Sequence, residues 1–331
     1  CEYITRIHED YPSAMITGIE YNDCIFDSIK NMENDHLTLL HQDFLEYDSK
    51  NMKYDLIIGN PPYYVMKQSI MTKKYSSYFD GRPNIFILFI IKSLSLLADN
   101  GVLSFVLPKN FLNCLYYNKT REYISSHFKI LSIHYCSDSY IETQQETIIL
   151  NLKKIDVFDN DMYIKRVSTY LLFGNKESIE KMNSLYSGST SLNDLGFKIK
   201  VGNVTWNDCK DELTDNSECT RLIYNSDIKD CSLKLSSFKN PCKKNFINRE
   251  GSNAPVLIVN RGYGVGKYTF DYLFLDGSFS YLLENHILYF LSSFERTNSD
   301  TCDMFQKIIS SFKDSRTQEF ISSFFGTNAI N

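Results

Sequence analysis

The sequence predicts an α/β protein whose first half is a mostly parallel, doubly wound sheet and whose second half is a separate domain of mixed α+β character. Three observations carry this. Short β-type runs alternate with helical stretches up to about residue 156. A long apolar segment, NIFILFIIKSLSLLADNG, sits between two of those runs and reads as a buried helix closed by Asn100-Gly101. The alternation then stops, and polar loops interrupt short strands to the end of the chain.

In order, EYITRIHEDY opens as a helix, and the runs AMITGIEY, LTLLHQDF, YDLIIGN, GVLSFVLP, KILSIHY and TIILNLKK read as strands. Between the last two lies only a polar loop, Tyr135 to Gln145, so a parallel sheet finishing in a hairpin-like antiparallel pair is expected. Lys176 to Tyr186 reads as a lone helix and Ser187 to Asp194 as a loop. The domains are placed at residues 1–157 and 158–331.

With 331 residues, 43 % of them hydrophobic and 14 % aromatic, the chain has enough apolar side chain for packed interiors. There is no basic start followed by an apolar core, hence no signal peptide is read. The longest apolar run, Ile85 to Ile91, stops at Lys92, short of the about 20 residues of a membrane helix. A soluble, cytoplasmic protein with no membrane partner is expected. The nine cysteines show no C-x-x-C pair and no histidine at zinc spacing, which predicts reduced thiols and no metal site. Net charge is −5, but Lys229 to Lys267 holds eight basic residues against Asp230 and Glu250.

In a doubly wound sheet, ligands bind at the carboxyl ends of the strands, so the residues just after each strand are the candidates. Glu20 ends the first run, at the place where a carboxylate accepts hydrogen bonds from the ribose hydroxyls of a nucleoside cofactor. Asp43 ends the second, followed by Phe44. The third, DLIIGNPPYYV, ends in Asn60-Pro61-Pro62-Tyr63. Taken alone, each has a structural explanation. Acidic residues after strands cap helices and turns, and a glycine with two prolines stops a buried strand.

Together these residues resemble the N6-adenine-specific DNA methyltransferases, which use S-adenosylmethionine and carry an (Asp/Asn/Ser)-Pro-Pro-(Tyr/Phe/Trp) tetrapeptide after a sheet strand. Asn60, Pro61, Pro62 and Tyr63 match it without departure. The resemblance implies a Rossmann-like methyltransferase sheet, with Glu20 on the cofactor ribose, Asp43 and Phe44 at its adenine, and Asn60 beside its methyl. GVLSFVLPKNFL matches the segment after the buried helix, and YIETQQETIILNL matches a segment of the gamma-type members that supplies a second aromatic, here Tyr140. The glycine-rich turn that precedes the first helix in the family does not occur here, and from that the chain is expected to bind cofactor poorly.

These residue types suit the reaction. The adenine amine is a poor nucleophile because its lone pair is delocalised into the ring. Two acceptors, the Asn60 side-chain oxygen and the Pro61 carbonyl, would hold both amino hydrogens and favour a tetrahedral nitrogen. The base must first leave the duplex, and Tyr63 and Tyr140 would sandwich it.

In the second half, KVGNVTWN with Trp206 and TRLIYNSDI resemble target-recognition regions, with less specificity than the tetrapeptide. VLIVNRGYGVGKYTF places Arg261, Tyr263 and Lys267 among three glycines; a phosphate-approaching loop and a tight hairpin turn read equally well. Lys243 and Lys244 complete the expected DNA contacts, against the alternative of a solvated basic face. The expected activity is site-specific adenine-N6 methylation of double-stranded DNA. A cognate restriction endonuclease is the further partner that the resemblance allows. The rival readings are a non-catalytic DNA-binding subunit with a degenerate fold, and an NPPY enzyme acting on RNA or a protein glutamine.

Overall fold

The computed structural model describes residues 2–67, 73–81, 84–136, 146–261 and 271–324. The chain falls into two compact units, 1–183 and 184–331.

The first unit opens with helix α1 (Glu2–Asp10), followed by β1 (Ile16–Glu20), α2 (Asp23–Ile29), β2 (Leu37–His41) and β3 (Tyr54–Gly59). Then come α3 (Ile85–Leu96), β4 (Leu97–Pro108), α4 (Asn118–His127), β5 (Lys129–Tyr135) and β6 (Thr147–Lys153). Strands β1 and β2 pair in parallel, from Ile16 opposite Leu37 to Glu20 opposite His41. The other four lie in the order β3-β4-β6-β5, with β3 parallel to β4 and β6 antiparallel to both neighbours. All six expected strands form, but in two sheets rather than one, β1-β2 and β3-β4-β6-β5, and the four-stranded sheet closes in the expected antiparallel pair.

Two details differ from expectation. Helix α3 ends at Leu96, before Asn100-Gly101, and those two residues belong to the irregular start of β4. Asn100 takes a left-handed φ of 65°, and a Cβ on Gly101 would sit 2.7 Å from the Tyr54 carbonyl, so the close approach of β4 to β3 needs a glycine there. Strand β3 is also less buried than its apolar sequence suggests, with Leu56 and Ile58 49 % and 39 % exposed. Among the described residues only β4 pairs with it.

Helix α3 is apolar on most of its surface because it is covered on most of its surface, Ser95 alone among its residues being exposed. Phe86, Ile87, Leu88 and Ile90 are completely buried in a core shared with β4, β5 and β6. An antiparallel hairpin, β7 (Ile164–Val167) with β8 (Tyr170–Phe173), adds Leu171 and Phe173 to the same core. The buried Arg121 on α4 fastens it: its guanidinium donates to the carbonyls of Leu171, Phe111 and Cys114. Hence the compact unit runs past residue 157 and includes most of α5 (Lys176–Tyr186).

The second unit holds β9 (Phe197–Val201), β10 (Leu213–Thr214), β11 (Thr220–Ile223), β12 (Ile228–Lys229), β13 (Ser232–Leu233) and β14 (Phe246–Ile247). It continues with β15 (Val256–Asn260), β16 (Tyr272–Leu275), β17 (Tyr281–Leu283), β18 (Ile287–Ser292), α6 (Asn298–Phe312) and α7 (Ser315–Phe324). One antiparallel sheet, β16-β15-β18-β9, buries Leu257, Val259 and Phe290 against Phe305, Ile308 and Ile309 of α6. A second, β10-β14-β11-β17, packs around Leu222, Tyr224 and Ile247. This is the mixed α+β character expected of the second half.

Candidate active site

Strand β3 stops at Gly59, and Asn60 to Tyr63 turn off its carboxyl end. A Cβ at Gly59 would lie 3.2 Å from the ring of Phe105, its neighbour on β4, so the glycine lets that ring seat against the strand end. Asn60 and Pro62 are exposed and Pro61 is buried. The two prolines carry no N–H and fix φ near −65°, which suits a rigid edge that leaves the ladder.

Tyr63 holds this edge from below. Its hydroxyl lies 2.7 Å from Asn60 Oδ1 and 2.8 Å from the Val106 carbonyl on β4. Its ring packs at right angles to Phe86 of the buried helix, with centroids 6.1 Å apart. The next residue is pinned through its backbone: the Tyr64 carbonyl accepts from Ile85 N, and Val65 bridges to Asn84, the N-cap of α3. The Tyr64 side chain is exposed.

Glu20 and Asp43 lie together at the carboxyl ends of β1 and β2, where Gln42 N donates to the Glu20 carbonyl at 3.1 Å. Glu20 Oε1 accepts from Asn22 N at 2.7 Å, and Asp43 Oδ1 accepts from Leu45 N at 2.8 Å. Both carboxylates thus order their own turns, as the structural explanation has it, while still standing at the strand ends where the cofactor reading needs them. Phe44 is partly buried against Phe89, 5.0 Å between centroids.

Lys92 was legible only as the residue that interrupts an apolar run. In the fold its ammonium reaches from α3 to the turn after β2, donating to the carbonyls of Leu45 at 2.8 Å and Tyr47 at 2.7 Å. It also lies 5.4 Å from the centre of the Phe44 ring. Burial lowers its pKa, and Lys74 lowers it further, while Asp43, Asp48 and Glu46 oppose the shift. A charged residue inside an otherwise apolar helix was the signal, and only the fold shows what it serves.

Tyr140 lies outside the described residues. The residues bounding its segment do not: Cys136 N donates to the Thr147 carbonyl, and Lys109 N to that of Glu146. Strand β5 runs parallel to β4, since both are antiparallel to β6. β5 therefore ends on the same side of the sheet as β3 and β4. Lys109 pairs with Glu146 at 2.8 Å and sits over the ring of Tyr135.

In the second unit the expected DNA contacts separate. Lys243 is partly buried among aromatic rings, 4.1 Å from the centre of Tyr224, 4.6 Å from Phe238 and 5.5 Å from Trp206. Burial lowers its pKa, and Glu284 and Asp227 oppose that shift. Trp206 is partly buried in the same cluster and also carries Lys210 at 5.6 Å. Lys244 pairs with Asp215 at 2.5 Å, Arg249 with Glu212 through two contacts, and Lys234 with Asp230. Asp215 and Glu212 lie outside the window in which the basic excess was counted. Arg261 is partly buried, and its backbone N–H donates to Asn225 Oδ1. Tyr263 and Lys267 lie outside the described residues. The segment carrying them joins two antiparallel neighbours, β15 and β16, and Asn260 and Asp271 bond to each other at its base.

Among the described residues no three His, Cys, Asp or Glu side chains are grouped to hold a metal ion, and no helix is long and apolar enough to cross a membrane.

Residues 5–141 match the family model described as Eco57I restriction-modification methylase. The type II methyltransferase M.CvrRI of Paramecium bursaria Chlorella virus XZ-6E is 27 % identical over 325 residues, covering 96 % of this chain and 79 % of that protein. The modification methylase CviBIII of Paramecium bursaria Chlorella virus NC1A is 26 % identical, over 69 % of this chain and 56 % of its own length. The type II methyltransferase M.AccI of Acinetobacter calcoaceticus is 32 % identical over 120 residues, 33 % of this chain and 22 % of its own. The chain thus spans most of the first relative but much less of the other two. With the parallel strands, the tetrapeptide at the end of β3 and the acidic residues at the ends of β1 and β2 in place, residues 5–141 resemble the Eco57I restriction-modification methylases.

Proposed function

We propose that this protein transfers a methyl group from S-adenosyl-L-methionine to the N6 amine of an adenine flipped out of double-stranded DNA. The observation that carries this reading is the rigid Asn60-Pro61 edge at the carboxyl end of β3, with the Asn60 amide oxygen held by the Tyr63 hydroxyl. The residues present suit the cofactor. Two carboxylates at adjacent strand ends, Glu20 and Asp43, are acceptors matched to ribose hydroxyls and an adenine amine, and Phe44 offers an apolar surface beside them.

When bound, the cofactor supplies an electrophilic methyl on a sulfonium centre. The chain's own residues prepare the nucleophile. Asn60 Oδ1 and the Pro61 carbonyl accept the two amino hydrogens, which draws the nitrogen lone pair out of conjugation and aims it along one direction. Such fixed acceptors favour the transition state over the planar ground state, and loss of one typically costs about 100- to 1000-fold in rate. Tyr63 and Tyr140 hold the flipped base by its faces. The second unit, with Trp206, Lys244, Arg261, Tyr263 and Lys267, selects the site on DNA. A restriction endonuclease of the same specificity is the partner such an activity would protect against.

Incubation of the protein with tritiated S-adenosylmethionine and mixed-sequence DNA, followed by nucleoside analysis, tests this. Label in N6-methyladenine is the expected result. Label confined to cytosine or to the protein itself would overturn the assignment.

A further inference from the structure

Helix α3 is an apolar rod, yet its twelve residues include one charged side chain, Lys92, and the fold does not send that charge to open water. A methionine there would fill similar volume without desolvating an ammonium. The ammonium instead crosses to the turn that follows β2, with two of its three N–H donors on the carbonyls of Leu45 and Tyr47. The turn is built around these two points. Asp43 accepts from Leu45 N through Oδ1, and its carbonyl accepts from Glu46 N and Tyr47 N. Leu45 is buried in the core, and the Tyr47 hydroxyl meets that of Tyr54 on β3. Phe44 is in contact with both the ammonium and Phe89. Three carboxylates of the same segment, Asp43, Glu46 and Asp48, act on the charge of Lys92.

We propose that Lys92 is a positioning residue for the adenine end of the cofactor, fixing from the buried helix the turn that presents Asp43 and Phe44. The role rests on the cofactor reading given above. Lys92 touches neither cofactor nor substrate; it sets the direction of the Asp43 carboxylate and the tilt of the Phe44 ring through the two carbonyls that follow them. A turn on a strand end with no such clamp would sample several orientations, and the ligand would have to order it on binding.

The test compares binding of S-adenosylhomocysteine with that of its inosine counterpart, in which the exocyclic amine facing Asp43 is replaced by a carbonyl. Calorimetry on the full chain should show the unsubstituted protein preferring the adenine compound. Lys92→Met should weaken that compound by about tenfold and bring the ratio of the two affinities close to one. Lys92→Arg, which keeps the charged donors, should retain most of the preference. General loosening of the core would weaken both compounds together and leave their ratio intact. An unchanged ratio in folded Lys92→Met overturns the proposal, and Lys92→Gln is read the same way should the methionine variant not fold. Because the glycine-rich turn does not occur in this sequence, the titration is carried to millimolar ligand; if the unsubstituted chain binds neither compound there, the cofactor reading itself fails, and the role of Lys92 falls with it.

Discussion

The Tyr63 hydroxyl lies 2.7 Å from Asn60 Oδ1 and 2.8 Å from the Val106 carbonyl, so one phenol ties the end of β3 to the strand beside it. A hydroxyl has a single proton, which it gives to one acceptor at a time or shares between two. The amide of Asn60 is thereby oriented before any substrate arrives, and the aromatic of the tetrapeptide has a polar task besides any stacking.

This separates two roles that an alanine scan would merge. Tyr63→Phe keeps the ring but releases Asn60, so kcat should fall about tenfold, the net value of one such bond, with DNA affinity little changed. Asn60→Ala should lose about 100-fold or more in kcat while the protein stays folded, and Asn60→Asp should retain part of the activity because an acceptor oxygen remains. Steady-state kinetics with melting curves as the folding control decide both. Near-normal turnover by Asn60→Ala would remove the tetrapeptide from the chemistry.

Lys243 and Lys244 are adjacent in sequence and should behave differently on DNA. Lys243→Ala is expected to lower stability by about 1–2 kcal/mol by emptying the space among Trp206, Tyr224 and Phe238, and to leave the salt dependence of DNA binding unchanged. Lys244→Ala should reduce the slope of log affinity against log salt by no more than about 0.9, one phosphate contact. Filter binding across a salt series separates them. A reduced slope for Lys243→Ala would place its ammonium on phosphate after all.

Arg261→Ala should weaken DNA binding more than either lysine variant. Loss of discrimination between cognate and near-cognate sites, measured by competition, would put its side chain on a base edge; uniform weakening would put it on the backbone.

Tyr140→Ala should weaken productive DNA binding roughly five- to hundredfold, the worth of one base-aromatic stack, while Tyr140→Phe should leave it nearly intact. Fluorescence of 2-aminopurine at the target position reads flipping directly. If alanine changed neither that signal nor the rate, Tyr63 would hold the base alone.

Burial, with the hydroxyl of Tyr54 adding to it, raises the pKa of Tyr47 from 10.0 to about 12. The unfolded chain loses this proton first, so the group's contribution to stability is full below pH 10 and is lost as pH rises through 12. Urea titrations should therefore show the advantage of the unsubstituted protein over Tyr47→Phe constant up to about pH 10 and shrinking above it. An advantage independent of pH across that interval would mean the phenol ionises as it does in water.

What the sequence determined by itself was whatever local pattern and short spacing encode. The six strands, the apolar α3, the closing antiparallel pair and the tetrapeptide at a strand end follow from periodicity, apolar content and two prolines, which act over a few residues. Only the tertiary structure decided where charges go. Lys92 looked like the end of an apolar run and proves to clamp a turn more than forty residues away in sequence. The basic stretch counts eight basic residues against two acidic ones along the chain, while folding brings Asp215 and Glu212 to Lys244 and Arg249 and packs Lys243 among three rings. Electrostatic and cation–π partners are fixed by distance in space, which a count along the chain does not measure. The same holds for Tyr63, whose second acceptor comes from the neighbouring strand and exists only once β3 and β4 have paired.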